Sequence, residues 1–287
     1  MHRTWQSGWS PVRGSAYRNA RCAGNWTCAL WQIQETGSLT PTRGRAPLAP
    51  NSPPALPPSR ASFILRTVTL RTILGKTVAT EDLLLAGKHV RLEPLDRRHL
   101  DGLVAASAVD PSLYRWSPVP QGKAEATSYV ETAHAWRDAG SAVPFATVRA
   151  DDGVVIGSTR FFNLERWSWP PGHARYGRQV PDACEIGYTW LTRSAIRTPA
   201  NTEAKLLMLT HAFEAWQVFR VCFHTDARNL RSRAALERIG GKFEGILRAH
   251  RMAADYIPRD SLRFSIVAAE WPTVKQQLHK FLIHAQG

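Results

Sequence analysis

Acidic residues are almost missing from the first 80 positions of this 287-residue chain, where Glu35 stands alone against 10 Lys and Arg. From residue 81 onward the balance is far milder, 27 Lys and Arg against 22 Asp and Glu. The +14 net charge therefore belongs mostly to the N-terminal segment. A basic chain favours anionic partners. With a nearly balanced body, nucleic acid is expected only through that segment, and phosphorylated small molecules suit the body better. Cysteine is scarce as well: Cys22, Cys28, Cys184 and Cys222, with no CxxC pair. That argues against a disulfide framework or a zinc site and is compatible with a reducing cytosol. No window approaches the ~18 continuous apolar residues of a membrane span. GxSxG, Walker, GxGxxG and HExxH motifs are all missing. The histidines are scattered, so no metal is expected.

Residues 1–80 read as a basic, Pro-rich, disordered extension, with PLAPNSPPALPPS (Pro47–Ser59) as an extended linker. Their Arg-rich, acid-poor make-up matches a transit peptide in composition, but no amphipathic stripe or cleavable apolar region accompanies it. Met1 is the one Met before residue 208, and a later non-Met start such as Val68 or Val78 is a further expectation.

From residue 83 the pattern becomes regular. Apolar–polar alternation predicts strands over His89–Leu95, Val143–Ala150, Val154–Trp167, Cys184–Leu191, Arg220–Asp226, Gly241–Met252 and Ser261–Trp271. Spacing of 3–4 residues predicts helices over His99–Val109, Gly122–Gly140, Asn201–Trp216 and Asn229–Gly240. The order β-α-α-β-β-β-α-β-α-β-β calls for an α/β (α+β) domain over 83–287, a mixed sheet covered by helices.

Three constellations could carry chemistry. In WLTRSAIRTPANTEAK (Trp190–Lys205) a strand runs through a basic loop into a helix. A helix start leaves backbone N–H groups unpaired beneath a positive dipole, which suits an anion. Arg193 and Arg197 add charge, Asn201 is the expected cap, and Thr202 is a weaker one. A capped, solvated helix with neighbouring arginines remains an alternative. In TDARNLRSRAALERIG, Asn229 and Ser232 project from one side of a second helix start, where they are equally a cap and a surface hydroxyl. Glu185 lies between apolar Cys184 and Ile186. In a buried strand desolvation would raise its pKa toward that of a useful base; on a solvated edge it would be an ordinary carboxylate.

The four runs VRLEPLDRRHLDGL, CEIGYTWL…RTPANTEAKLLMLTHAFE, RVCFHTDARNLRSRAALERIGGKFEGILRAH and RDSLRFSIVAAEWPTVKQQL, in this order, give 88–283 a resemblance. The stretch resembles the GNAT acetyltransferase superfamily, and within it the branch related to ribosomal-protein N-terminal acetyltransferases. The resemblance implies a mostly antiparallel sheet splayed at Cys184–Leu191, with helices on both faces. It implies an acetyl-CoA-dependent N-acetyltransferase acting on a peptide or small-molecule amine by direct transfer. Cytoplasmic and monomeric or homodimeric behaviour is expected. A non-catalytic CoA-binding regulatory module of the same fold is the alternative.

By the same resemblance, Arg193, Arg197, Thr198, Ala200, Asn201 and Thr202 would surround the cofactor diphosphate. Asn229 would contact the pantetheine arm, and the backbone of Trp190 or Leu191 would face the thioester oxygen. Glu185 would take the amine proton and Ser232 would protonate the thiolate. The family's loop pattern is Q/R-x-x-G-x-G/A, and this loop lacks its central glycine. Pro199 removes a donor there. The aromatic loop Ser168–Pro181, with Trp167, Trp169 and Tyr176, is expected to line the acceptor side, and Asp255–Ile266 the opposite wall.

Overall fold

A computed structural model describes residues 83–284. The readings made for residues 1–82, including Cys22, Cys28 and the Pro-rich linker, lie outside the described residues.

The strands are β1 (Leu85–Ala86), β2 (Val90–Pro94), β3 (Ala142–Arg149), β4 (Val155–Glu165), β5 (Ala183–Leu191), β6 (Arg220–Asp226), β7 (Lys242–Met252) and β8 (Pro258–Val267). The helices are α1 (Leu100–Ala108), α2 (Gly122–Asp138), α3 (Pro199–Thr210), α4 (Leu230–Arg238) and α5 (Trp271–His284). All eight strands form one sheet in the order β1-β2-β3-β4-β5-β6-β8-β7. Every pairing is antiparallel except β5 with β6.

That exception positions the site. β5 and β6 pair in parallel only at Ala183–Arg220, Cys184–Val221 and Glu185–Cys222. Beyond Glu185 the two strands part, so one edge of β5 keeps β4 and the other has no strand partner among the described residues. The pairing of β5 with β4 is also broken: Trp190 faces Ser158 and Gly187 faces Arg160, so β5 carries one extra residue. Tyr188, in this bulge, has φ 52°, a left-handed conformation rare for a side-chain-bearing residue. Gly157 lets the strands close above it, since a Cβ there would run into the Trp190 carbonyl oxygen.

Alternation along β3 divides the core between the two faces. Val143 and Phe145 join a cluster with Leu206, Met208 and Leu209 of α3 and Val274, Leu278 and Leu282 of α5. Ala146 and Val148 join a second cluster with Leu103 of α1 and Val130 and Ala133 of α2. Helices thus cover both faces, as expected.

Several boundaries differ from the sequence reading. Thr198, not Asn201, caps α3: its hydroxyl accepts from Ala200 N (3.3 Å) and donates to Ala195 O (2.8 Å). Asn201 therefore sits inside the first turn. The helix becomes a π-turn at His211–Trp216 and stops at Gln217, φ 57°. The C-terminal helix α5 is not among the expected elements, although Trp271, Val274, Leu278 and Leu282 recur at its period and are buried. Glu203 locks α3 to the start of the sheet by accepting from the amides of Lys88 (2.8 Å), His89 (2.6 Å) and Val90 (2.8 Å).

Candidate active site

The gap between β5 and β6 opens into a cavity of about 860 Å³. β5 forms one wall, β6 and α4 another, and the loop into α3 closes one end. Trp190, Leu191, Arg197, Thr198, Asn201 and Asn229 all line it, as do Glu185 and Ser232. The topology thus brings together eight of the residues named from sequence.

Three of the named residues do not line it. Arg193 turns to Asp110, 3.1 Å away on the segment before α2. Ala200 is buried against the core. Thr202 is buried and accepts from Arg238 Nη2 (2.9 Å), fastening α4 to α3. The resemblance placed all three near the helix start; Ala200 and Thr202 turn to other faces of α3, and Arg193 lies in a short turn before the helix.

The loop forms without the glycine. Arg197 has φ 63°, so the left-handed position falls on an arginine. Pro199 is the first helical residue, where the N–H would lack an intrahelical partner in any case. Its fixed φ suits that place. Arg197 before α3, Arg231 in the first turn of α4 and Arg238 at the end of α4 line the cavity, and Arg238 reaches the first turn of α3 through Thr202. A helix N-terminus with three guanidinium groups suits a polyphosphate. The residues present therefore fit the phosphate end of acetyl-CoA, and the splayed edge of β5 fits its amide-bearing arm.

At the fork of the splay lies Glu185, 3% exposed. The solvated-edge alternative is thereby removed. Asn163 Nδ2 donates to its Oε2 (2.9 Å), and Arg251 Nη2 lies 3.3 Å from the same oxygen. His224 Nδ1 is 2.8 Å from Oε1, an ion-pair distance, but outside hydrogen-bond alignment. Burial, followed by the charge of Arg251, holds His250 below the usual imidazole range. Its ring centroid is 5.0 Å from that of His224.

On α4, Asn229 Oδ1 accepts from Ser232 N (3.0 Å), so the cap reading is correct. Its side-chain amide nitrogen has no hydrogen-bond partner among the described residues. Tyr114 OH donates to the Leu191 carbonyl (3.1 Å), and the Tyr114 ring meets Trp190 edge-on at 5.7 Å. Burial raises the Tyr188 phenol.

Sequence reasoning passes over Lys205, yet it lines the cavity while 4% exposed. Its Nζ donates to the hydroxyls of Thr189 (2.8 Å) and Thr159 (3.3 Å). Among the described residues no carboxylate lies within 4 Å of it. Burial alone lowers its pKa to about 7.

The aromatic loop is elsewhere than expected. Trp167 stacks on Phe219 at 5.1 Å, and Trp169 stacks on His173 at 4.2 Å. Asp182 gathers Trp167 N (2.8 Å), Trp169 Nε1 (3.0 Å) and Arg175 Nη1 (3.0 Å). Burial opposes ionisation of Asp182, but these donors prevail and hold its carboxyl below the usual range. Trp167, Trp169 and Tyr176 line neither this cavity nor the smaller one beside it. Of the expected opposite wall, Asp255–Ile266, Arg259 lines the cavity; Arg251 and Met252 of β7, outside it, do so too.

Among the described residues no His, Cys, Asp and Glu side chains converge in a group that could hold a metal ion. No helix there is long and apolar enough to cross a membrane.

Comparison with known proteins agrees with this geometry. A GCN5-related N-acetyltransferase from Brucella melitensis is 29% identical at TM-score 0.60, over 70% of this chain and 86% of that one. A candidate acetyltransferase of T. thermophilus is 33% identical at TM-score 0.56, over 69% and 96%. Mycobacterium smegmatis RimJ, solved with CoA-disulfide, shares the fold at 24% identity and TM-score 0.54, over 67% and 88%. No protein of curated description matches. The model of the acetyltransferase (GNAT) domain matches residues 89–242, and the chain belongs to the GNAT acetyltransferase family.

Proposed function

We propose that this protein transfers an acetyl group from acetyl-CoA directly to an amine, a peptide N-terminus or a small-molecule amine. The observation that carries the reading is Glu185. It is a buried carboxylate at the fork where β5 loses β6, in the same cavity as the α3 N-terminus and its arginines. Acetyl-CoA supplies the acetyl group as a thioester. Arg197, Arg231, Arg238 and the first turn of α3 would hold its phosphates. The unpaired edge of β5 would align its amide-bearing arm, and Asn229 would add a contact through its amide nitrogen.

Glu185, directly or through a water, would accept the proton that the attacking amine must lose. A new C–N bond forms as the C–S bond breaks. Ser232 would return a proton to the departing sulfur. A backbone N–H of Trp190 or Leu191 would stabilise the developing oxyanion. We place this activity in the cytoplasm.

Thiol release from acetyl-CoA in the presence of a panel of amines tests the reading, with acetyl-CoA binding followed by calorimetry. Binding together with amine-dependent thiol release is expected. Absence of binding would remove the reading. Binding without release on any amine, unchanged by Glu185→Gln, would favour the non-catalytic CoA-binding module.

A further inference from the structure

A second cavity of about 270 Å³ adjoins the first. It is lined by Trp136, Ser141, Phe162, Asn163, Tyr188 and Arg251. Phe162, Tyr188 and Arg251 also line the larger cavity, so the two meet beside Glu185, which Asn163 and Arg251 contact.

The charge at this junction is unusual for a site that accepts an amine. Glu185 is the one acid among the residues lining the two cavities. Arg251 is 3.3 Å from it, so its charge is balanced. Arg259 is in no salt bridge: it bonds Ser261 Oγ (3.2 Å), and among the described residues no carboxylate lies within 4 Å, so Asp226 and Glu185 attract it only from further away. Behind the wall lies Arg160, 1% exposed. Its guanidinium carbon is 4.3 Å from the Tyr188 ring centroid and 5.4 Å from that of Trp136. Its Nε and Nη2 have no hydrogen-bond partner among the described residues. The rings interact with this cation but do not neutralise it. A plain ammonium or a polyamine would meet the guanidinium groups of Arg251 and Arg259 and one carboxylate, with the charge of Arg160 behind the wall. That arrangement repels it.

A zwitterion fits instead. Resting on the acetyltransferase reading above, we propose that the acceptor is an α-amino acid with an apolar or aromatic side chain. Its amine replaces Arg251 at Glu185, and its carboxylate pairs with Arg251 and Arg259. Amine and carboxylate are borne by one carbon in such a molecule, and Glu185 and Arg251 stand side by side to receive them. Arg–carboxylate pairs are well suited to this recognition because the planar fork can grip both oxygens. The side chain enters the smaller cavity, whose Trp136, Tyr188 and Phe162 rings meet edge to face at 5.4 and 5.2 Å. A peptide N-terminus has an amide in place of this carboxylate and loses the contact.

The test uses the full chain with acetyl-CoA and reads thiol release on phenylalanine, leucine and methionine, and on phenylalaninamide and phenethylamine. We expect kcat/KM for phenylalanine to exceed those for its amide and for phenethylamine by at least about tenfold, the worth of one good charge-assisted pair. In Arg251→Gln that ratio falls toward one through a higher KM for phenylalanine, and Arg259→Gln moves it the same way. Calorimetric acetyl-CoA binding shows that each variant is folded. Equal or better rates on the two carboxyl-free amines overturn the inference and leave the acetyltransferase reading standing, as does turnover of other amines with none on the amino acids. Failure to bind acetyl-CoA overturns both.

Discussion

The carboxylate of Glu185 on β5 and the guanidinium of Arg251 on β7 lie 3.3 Å apart, although 66 residues separate them. The pair balances a buried charge at the fork of the sheet, and in the proposed reaction a substrate amine takes the place of the arginine. Glu185→Gln keeps the shape and the Asn163 contact but removes proton acceptance. Turnover is expected to fall by roughly 10²–10⁴, the usual contribution of a general base. Acetyl-CoA binding should persist. Steady-state kinetics across pH checks this; an unchanged kcat assigns the proton to another group.

The loop into α3 separates two substitutions that look alike on paper. Arg197 is left-handed at φ 63°, which costs a non-glycine residue ~1 kcal/mol or more. Arg197→Gly should therefore raise the unfolding free energy by about 1 kcal/mol while weakening acetyl-CoA binding through loss of a cavity cation. Pro199→Gly should do neither. At the first helical position the proline forfeits a donor that has no helical partner, and its fixed φ favours the helix. A loss of up to ~1 kcal/mol is expected, with little change in affinity. Chemical denaturation and calorimetry read both. A marked tightening in Pro199→Gly would mean that the missing amide matters after all.

The sequence carried the order of elements because alternation and helical spacing are local. Through its apolar neighbours it offered the burial of Glu185 as one of two readings, the solvated edge being the other. It could not carry Arg251, Asn163 or His224, because those contacts arise only when β4 and β6 pair with β5 and the far edge strand β7 brings Arg251 back to it. Asn201 is a good cap residue, but Thr198 won the position: its hydroxyl bridges Ala195 O and Ala200 N across the proline. Trp167 and Trp169 were misplaced because a loop aromatic does not state which surface it will cover; here Phe219 and His173 take them. The helix α5 is legible in its apolar spacing and is hidden only by reading the preceding strand through to Trp271.

A half-buried histidine and a buried lysine make stability climb with pH. Partial burial of His211 against Phe161 and Trp216 lowers its pKa from 6.5 to about 4. Between those values the unfolded chain binds a proton that the folded one refuses. Stability is therefore lost as pH falls from 6.5 toward 4. Lys205 behaves likewise at higher pH, with a folded pKa of about 7 against 10.5. Below 7 the full cost of burying the ammonium is present; as pH rises toward 10.5 it is relieved. The stability of the native chain relative to Lys205→Met should thus rise by on the order of a few kcal/mol between about pH 7 and 10. Urea unfolding at several pH values measures the difference. A flat difference would show that Lys205 keeps its charge, paired with something the folded chain supplies.

Glu203 tests how α3 is anchored. Its two carboxylate oxygens accept three amides, with Oε1 taking Lys88 and Oε2 taking His89 and Val90. Gly87 stands so close that a Cβ there would strike the carboxylate, which leaves no room for another arrangement. Glu203→Gln puts an NH₂ against at least one of those amides. The loss of a charge-assisted bond and the stranding of a buried donor together cost about 3 kcal/mol. For a domain of this size that lowers Tm by roughly 6–12 °C. Glu203→Asp, which keeps the charge but shortens the reach, should lose less. Equal losses in the two variants would mean that side-chain length, not the negative charge, holds α3 to β2.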